Sequence, residues 1–184
     1  MTSQRSAGRS GFTLVELLIV IAIIGFLAAA ILVAVDPVRR IQDARNAKRW
    51  GEVNGILNAI LVKQVDDRKM FTGTTTTPIV TDATNSQVIV AVDPGATDCA
   101  AAPTQPLCPN QTLSSTGRAC MANLSDLVPG YIATLPVDPK SDAPATGPIL
   151  GTGNTGYYIH ATSNGRIEIG TCWPDQGATI SLKR

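Results

Sequence analysis

The hydrophobic residues of this chain are concentrated in one segment near its amino end. Residues 12–35 are almost wholly apolar and carry a single formal charge, on Glu16. As an α-helix this segment would span about 36 Å at 1.5 Å per residue, which exceeds the roughly 30 Å hydrocarbon thickness of a bilayer. The pattern therefore predicts a single-pass transmembrane helix over residues 12–35.

The residues before the apolar segment are polar and basic. Residues 1–11 include Arg5 and Arg9 but no acid. Basic residues that flank a transmembrane helix tend to stay on the cytoplasmic side. We therefore expect the N-terminus in the cytoplasm and the remainder of the chain on the far side of the cytoplasmic (inner) membrane.

A second helix is predicted after a break. Asp36-Pro37 interrupts the apolar pattern, and a proline removes a backbone donor and clashes with the preceding turn, so a kink or break is expected there. Residues 38–67 then show helical spacing, which predicts an amphipathic helix within a 36–69 segment that leads into a globular head. Its apolar positions are Ile41, Ala44, Val53, Ile56, Leu57 and Ile60, and its polar positions are Asp43, Arg45, Lys48, Arg49 and Glu52.

Residues 70–184 are expected to form that head. Turn and loop signals dominate residues 70–129, where residues 87–92 alone have the composition of a strand. Three further strands are predicted over residues 157–161, 166–171 and 178–182, with turns at Ser163-Asn164-Gly165 and at residues 174–177. The fold class is therefore α+β, with a long N-terminal helix packed on a small antiparallel sheet.

Four cysteines lie in the C-terminal half, at Cys99, Cys108, Cys120 and Cys172. An even number beyond a membrane-type segment indicates disulfides in an oxidising compartment, and buried free thiols are the alternative. Three connectivities are open, of which Cys99–Cys108 with Cys120–Cys172 is preferred by proximity in the sequence. A zinc site is not expected, because there is no C-x-x-C and only one histidine.

The charges of the chain nearly cancel, with 15 basic and 14 acidic residues. Such a balance gives no overall attraction to nucleic acid, which is not indicated as a partner. A basic cluster follows the apolar segment, and a solvated helix face is its default interpretation; lipid headgroups, DNA or acids of neighbouring subunits are the alternatives. Its members are Arg39, Arg40, Arg45, Lys48 and Arg49.

The run Gly11-Phe12-Thr13-Leu14-Val15-Glu16 with its apolar continuation resembles the processing site and N-terminal helix of type IV pilins and pseudopilins. The resemblance implies that residues 1–11 are a leader removed by a prepilin peptidase after Gly11, and that Phe12 becomes the N-methylated first residue. It also implies that Glu16 recruits and registers an incoming subunit, and that the disulfides bound a loop region of the head.

The residues themselves support an assembly role for Glu16. A carboxylate inside a membrane span costs about 2.5–3.5 kcal/mol on insertion scales. Cleavage after Gly11 would leave a cationic amine on Phe12, and that amine and Glu16 can neutralise each other in low dielectric. The resemblance further suggests that Gly25, together with Pro37, marks where the helix loosens when subunits pack into a filament; an ordinary helix glycine is the alternative for Gly25.

Two other interpretations of the apolar segment are an ordinary membrane anchor and a secretory signal cut near residues 28–30. In the head, Leu135-Pro136-Val137-Asp138-Pro139 resembles a segment of pseudopilins, in some of which a nearby loop binds calcium. Asp138 and Asp142 are the candidate ligands, although Lys140-Ser141 departs from that pattern. A rigid surface turn is the alternative.

The expected function is that of a structural subunit of a type IV pilus, which polymerises with copies of itself in adhesion, motility or DNA uptake. A pseudopilin of a type II secretion system and a membrane-anchored binding domain that never polymerises are the alternatives. Membrane lipid and the pilus assembly machinery are the expected partners before the filament becomes extracellular. No enzyme activity or cofactor is expected, because the sequence has neither a Gly-x-Ser-x-Gly motif nor a phosphate-binding loop.

Overall fold

A computed structural model describes residues 11–75, 77–81, 85–91, 108, 111–113, 120–140 and 153–184. Contacts divide the chain into two compact units, Met1–Ile41 and Gln42–Arg184. Of the predicted leader, Gly11 alone belongs to the described residues.

Most of the first unit is helix α1, Leu14–Val35. All 22 of its residues are described and none is buried, so its apolar side chains face outwards all round. By length and composition this is the one stretch of described helix that could cross a membrane. The apolar segment therefore forms the helix that the sequence predicts.

The helix is interrupted at the predicted dipeptide. Asp36 has the left-handed backbone angles φ 43° and ψ 76°, and helix α2, Pro37–Asp67, begins directly after it. The Asp36 carboxylate accepts a hydrogen bond from the backbone N–H of Arg39 at 3.3 Å. The aspartate therefore ends one helix and caps the next.

In the second unit, α2 packs one face on a sheet. Val53, Ile56, Leu57 and Ile60 are fully buried, as their spacing predicts, and Ala59 is only 4% exposed. Ile41 and Ala44, which were predicted to belong to the same apolar face, are exposed. Facing α2 in the same hydrophobic cluster are the sheet residues Ile89, Tyr157, Ile159, Ile167 and Ile169.

The sheet has five strands in the order β2-β1-β3-β4-β5. Their bounds are β1 Gln87–Val90, β2 Met121–Asn123, β3 Asn154–Ala161, β4 Ile167–Thr171 and β5 Ser181–Lys183. The α+β fold is confirmed, but the prediction of a wholly antiparallel sheet is wrong, because β1 and β2 are parallel. Strand β2 lies where a loop was expected, since three residues are too few to show an alternating pattern.

The sheet face away from α2 carries a second buried cluster. Cys108 and Cys172 form a disulfide there, with Cα atoms 4.6 Å apart and a sequence separation of 64. The preferred pairing of Cys108 with Cys99 and of Cys120 with Cys172 is therefore wrong: Cys172 directly follows β4, and the sheet brings distant segments together. Cys120 is also disulfide-bonded, none of the described cysteines is a free thiol, and Cys99 lies outside the described residues.

Candidate assembly site

The chain enters α1 through exposed, extended backbone. Gly11 and Phe12 precede the helix, and the Phe12 side chain is 88% exposed. Thr13 is the N-cap residue, with φ −81° and ψ 151°. An accessible segment with a glycine is a backbone that a peptidase can approach closely, and the sequence places the expected cut within it.

Thr13 and Glu16 form a capping box at the start of α1. The Thr13 hydroxyl accepts from the backbone N–H of Glu16 at 3.2 Å and donates to Oε2 of Glu16 at 2.7 Å. The backbone N–H of Thr13 donates to the same Oε2 at 2.8 Å. Glu16 therefore satisfies donors at the helix N-terminus that would otherwise have no partner.

This second role of Glu16 was missed in the sequence, although Thr-x-x-Glu before an apolar run is the signature of a capping box. Both donors converge on Oε2, and within the described residues Oε1 accepts no hydrogen bond. One carboxylate oxygen thus holds the helix start while the other is free to meet a cation. Gly25 lies within α1, and its loosening in a filament stays a prediction.

Four charged side chains from distant parts of the sequence meet in the second unit, where α2 packs on the head. We name them the ion cluster: Arg45, Arg49, Asp138 and Asp175. The Arg49 side chain is fully buried and forms a two-bond pair with Asp138, Nε to Oδ2 and Nη2 to Oδ1, both at 2.8 Å. Its Nη1 donates to Oδ2 of Asp175 at 2.8 Å, and Nε of Arg45 lies 3.0 Å from that oxygen. The formal charges of the cluster sum to zero.

The ion cluster corrects the prediction that Arg49 belongs to a solvated helix face. Arg49 precedes Val53, Ile56 and Ile60 by four, seven and eleven residues, which is the spacing of one helix face. That spacing would have placed it on the buried side of α2. Its partners lie about 90 and 130 residues away, and no local pattern predicts them.

Both oxygens of the calcium candidate Asp138 are engaged within the head. Besides Arg49, Oδ1 accepts from the backbone N–H of Lys140 at 2.8 Å, and Oδ2 accepts from the Thr171 hydroxyl at 3.1 Å. The second candidate, Asp142, lies outside the described residues. Among the described residues, no group of three or more His, Cys, Asp or Glu side chains is placed to hold a metal ion.

Burial and charge act in opposite directions on the cluster. Burial lowers the pKa of Arg49, but hydrogen bonds and charge attraction from Asp138 and Asp175 outweigh it and hold that pKa above its ordinary value. Burial likewise raises the pKa of Asp175, but the hydrogen bond and charge of Arg49, together with the charges of Arg45 and Lys140, leave that pKa below the ordinary 3.8. Both groups therefore stay charged near neutral pH.

The lowered pKa of Asp175 predicts acid sensitivity of the head. A carboxyl with a lower pKa in the folded state stabilises the fold above its unfolded pKa, here about 3.8, and loses that contribution as the pH falls. We expect the unfolding midpoint to fall between about pH 6 and about pH 3, and to fall less in Asp175→Asn, which is less stable at the higher pH. Thermal melting of the full chain in detergent, followed by tryptophan fluorescence, measures the unfolding midpoint at each pH. An equal drop of the midpoint in wild type and Asp175→Asn would contradict the prediction.

Comparison with known proteins bears on the N-terminal segment. The prokaryotic N-terminal methylation motif matches residues 6–32. This is the class III prepilin-type signal of type IV pilins and pseudopilins, so the resemblance seen in the sequence is confirmed. No curated protein and no solved structure matches the chain. The motif and the exposed apolar helix fit a membrane-anchored precursor that carries a pilin or pseudopilin signal, and this signal points to a structural protein.

Proposed function

We propose that this chain is the structural subunit of a type IV pilus filament. It is made as a membrane-anchored precursor, cut after Gly11, N-methylated on Phe12 and polymerised through its N-terminal helix. The observation that carries the proposal is the match of the methylation motif to a helix of which no residue is buried.

The exposed apolar surface of α1 requires apolar surroundings both before and after assembly. Burial of apolar surface contributes about 25 cal/mol per Å², so this helix is stable only in lipid or among other apolar helices. Residues 12–35 first serve as the anchor and then, once out of the membrane, as the filament core. Residues 36–69 lead to the head, residues 70–184, which the filament displays.

The processing steps define the partners and the location. Arg5 and Arg9 keep the leader in the cytoplasm, where the prepilin peptidase cuts. The new amine on Phe12 neutralises Glu16 of a neighbouring copy, and the pilus assembly machinery moves the subunit from the membrane to the extracellular pilus. Oε1 of Glu16 supports this step, because the capping box leaves that oxygen without a partner in the described residues.

Mass spectrometry of protein purified from the native cell tests the proposal most directly. We expect a mature chain that begins at Phe12 and carries one methyl group on its amine. A substitution of Gly11 by a bulky residue should leave the full-length precursor, because the side chain blocks close approach to the backbone. A native chain that begins at Met1 or near residue 30 would show that the pilin proposal is wrong.

A pseudopilin of a type II secretion system is the second candidate. It is favoured by the Leu135–Pro139 segment, which resembles a segment common in pseudopilins. Shearing of surface filaments separates the two: filaments that contain this chain favour a pilus. Loss of protein secretion in a deletion strain, without loss of surface filaments, favours a pseudopilus.

A further inference from the structure

A groove follows α2 within the second unit. Gly51 and Gly55 form its floor on α2 together with Lys48 and Glu52, Ile132 and residues 134–137 form one wall, and its volume is about 620 Å³. We name it the α2 groove. Neither the leader cleavage nor the capping box accounts for it.

The two floor glycines are not required by the packing of the head. A Cβ atom at Gly51 or at Gly55 would meet no atom within 4 Å, and neither residue has a positive φ. Glycine in a helix interior lowers stability relative to alanine. What the glycines provide is an open helix backbone, which allows a second helix to approach closely.

The wall opposite the glycines is held rigidly and is apolar. Asp138, which directly follows it, is bound by Arg49 of α2 through the two-bond pair of the ion cluster. Leu135 is buried, and the Val137 side chain is 53% exposed. The groove therefore exists before anything binds, and a ligand does not have to order it.

The outward face of α2 beside the groove lacks charge. From residue 50 to residue 62 the structure describes every residue, and the exposed ones are Trp50, Gly51, Asn54, Asn58 and Val62. The solvent face of a helix is ordinarily charged, as α2 is at Asp43 and Lys48. At the groove edge, Lys48 pairs with Glu52 at 3.5 Å, so the groove offers no net charge.

We propose that the α2 groove seats helix α1 of a second copy of this chain. Its largely apolar wall and the two glycines of its floor complement the apolar surface of α1, and the Lys48–Glu52 pair leaves the floor without net charge. Helix α1 is the described segment whose large hydrophobic residues are exposed continuously, from Leu14 to Val35. A charged helix such as the first half of α2 would lose hydration there without gaining a partner. The inference rests on the proposed polymerisation and adds the surface that receives the helix.

This contact joins two different surfaces of the same chain. α1 of one copy occupies the groove of the next, whose own α1 remains available. Such heterologous contacts, when they do not close into a ring, generate a helical filament. Because every copy contributes its helix to one neighbour and its groove to another, all copies in the filament have the same orientation.

Photo-crosslinking locates the occupant. A photoreactive amino acid replaces Val137 in the groove wall or, as the control, Lys183 on β5. After irradiation of sheared filaments, we expect a dimer-sized product from position 137 that contains the tryptic peptide of residues 12–39, which has no internal Lys or Arg, and no such product from position 183. Filaments whose crosslinks from position 137 reach another segment, or reach no second chain, would overturn the groove while leaving polymerisation intact.

A second measurement uses matched glycine substitutions. Gly55→Leu fills the groove, whereas Gly130→Leu adds the same side chain at an exposed site outside it, where a Cβ also meets no atom within 4 Å. We expect filament yield to fall about tenfold in Gly55→Leu and to stay near wild type in Gly130→Leu, with N-terminal cleavage unchanged and the melting midpoint of the head not lowered in either variant. Normal yield in Gly55→Leu would overturn the inference, and failure of the wild-type chain to polymerise would instead overturn the proposed function.

Discussion

Arg49→Ala is expected to lower the free energy of unfolding of the head by about 3–5 kcal/mol, because it leaves two carboxylates without their buried counter-ion. Asp138 would lose both short bonds to the guanidinium, and Asp175 would keep Arg45 alone. The melting midpoint should fall by roughly 10 °C or more. Both tryptophans of the chain, Trp50 and Trp173, lie in the second unit, Gln42–Arg184, so their fluorescence follows its unfolding in the full chain.

Two control variants separate the ion cluster from a general loss of positive charge. Arg166→Ala removes an exposed arginine near a turn and should change stability by no more than about 0.5 kcal/mol. Arg49→Lys keeps the charge but cannot form the two-bond pair with Asp138. Its free energy of unfolding should therefore lie between those of Arg49→Ala and wild type. Equal stability of Arg49→Ala and Arg166→Ala would contradict the structural role of the cluster.

Glu16→Ala is expected to reduce filament yield by about tenfold or more while cleavage after Gly11 continues. The physical reason is the unpaired amine that Phe12 would then carry into an apolar core, where an isolated charge is costly. The ratio of sheared filament to processed subunit measures the effect. A normal ratio in this variant would contradict the assembly role.

The capping box makes Glu16→Gln the informative control. Glutamine can accept the same hydrogen bonds from Thr13 and keep the helix start, but it carries no charge. If charge is what assembly requires, Glu16→Gln should fail as Glu16→Ala does. Assembly of the glutamine variant at wild-type level would instead assign Glu16 to the helix cap alone.

The parts of the structure that follow a local pattern could be predicted from the sequence. The continuous apolar run predicted α1, the Asp36-Pro37 dipeptide predicted the interruption, and helical spacing predicted the buried face of α2. Strand β3 and the Asn164-Gly165 turn were likewise visible, because alternation and turn chemistry are short-range signals.

The parts that depend on distant contacts could not be predicted in this way. Arg49 is buried because Asp138 and Asp175 reach it from the far end of the chain. Cys108 bonds to Cys172 rather than to Cys99, which is nearer in the sequence, because the sheet places Cys108 and Cys172 together. The capping box differs from these cases, since its Thr13 and Glu16 are local and their spacing was a sufficient signal.

The buried disulfide has a mechanical consequence for a filament under tension. Cys108 and Cys172 are separated by 64 residues, which fully extended would span roughly 210–230 Å. The covalent link prevents the residues between the two cysteines from being extended when force is applied at points outside that loop. Force applied through the N-terminal helix can therefore lengthen the head only through the segments before Cys108 and after Cys172. Strands β2, β3 and β4 lie inside the closed loop, whereas β1 and β5 lie outside it, so β1, between β2 and β3, is the strand whose pairing must bear the load.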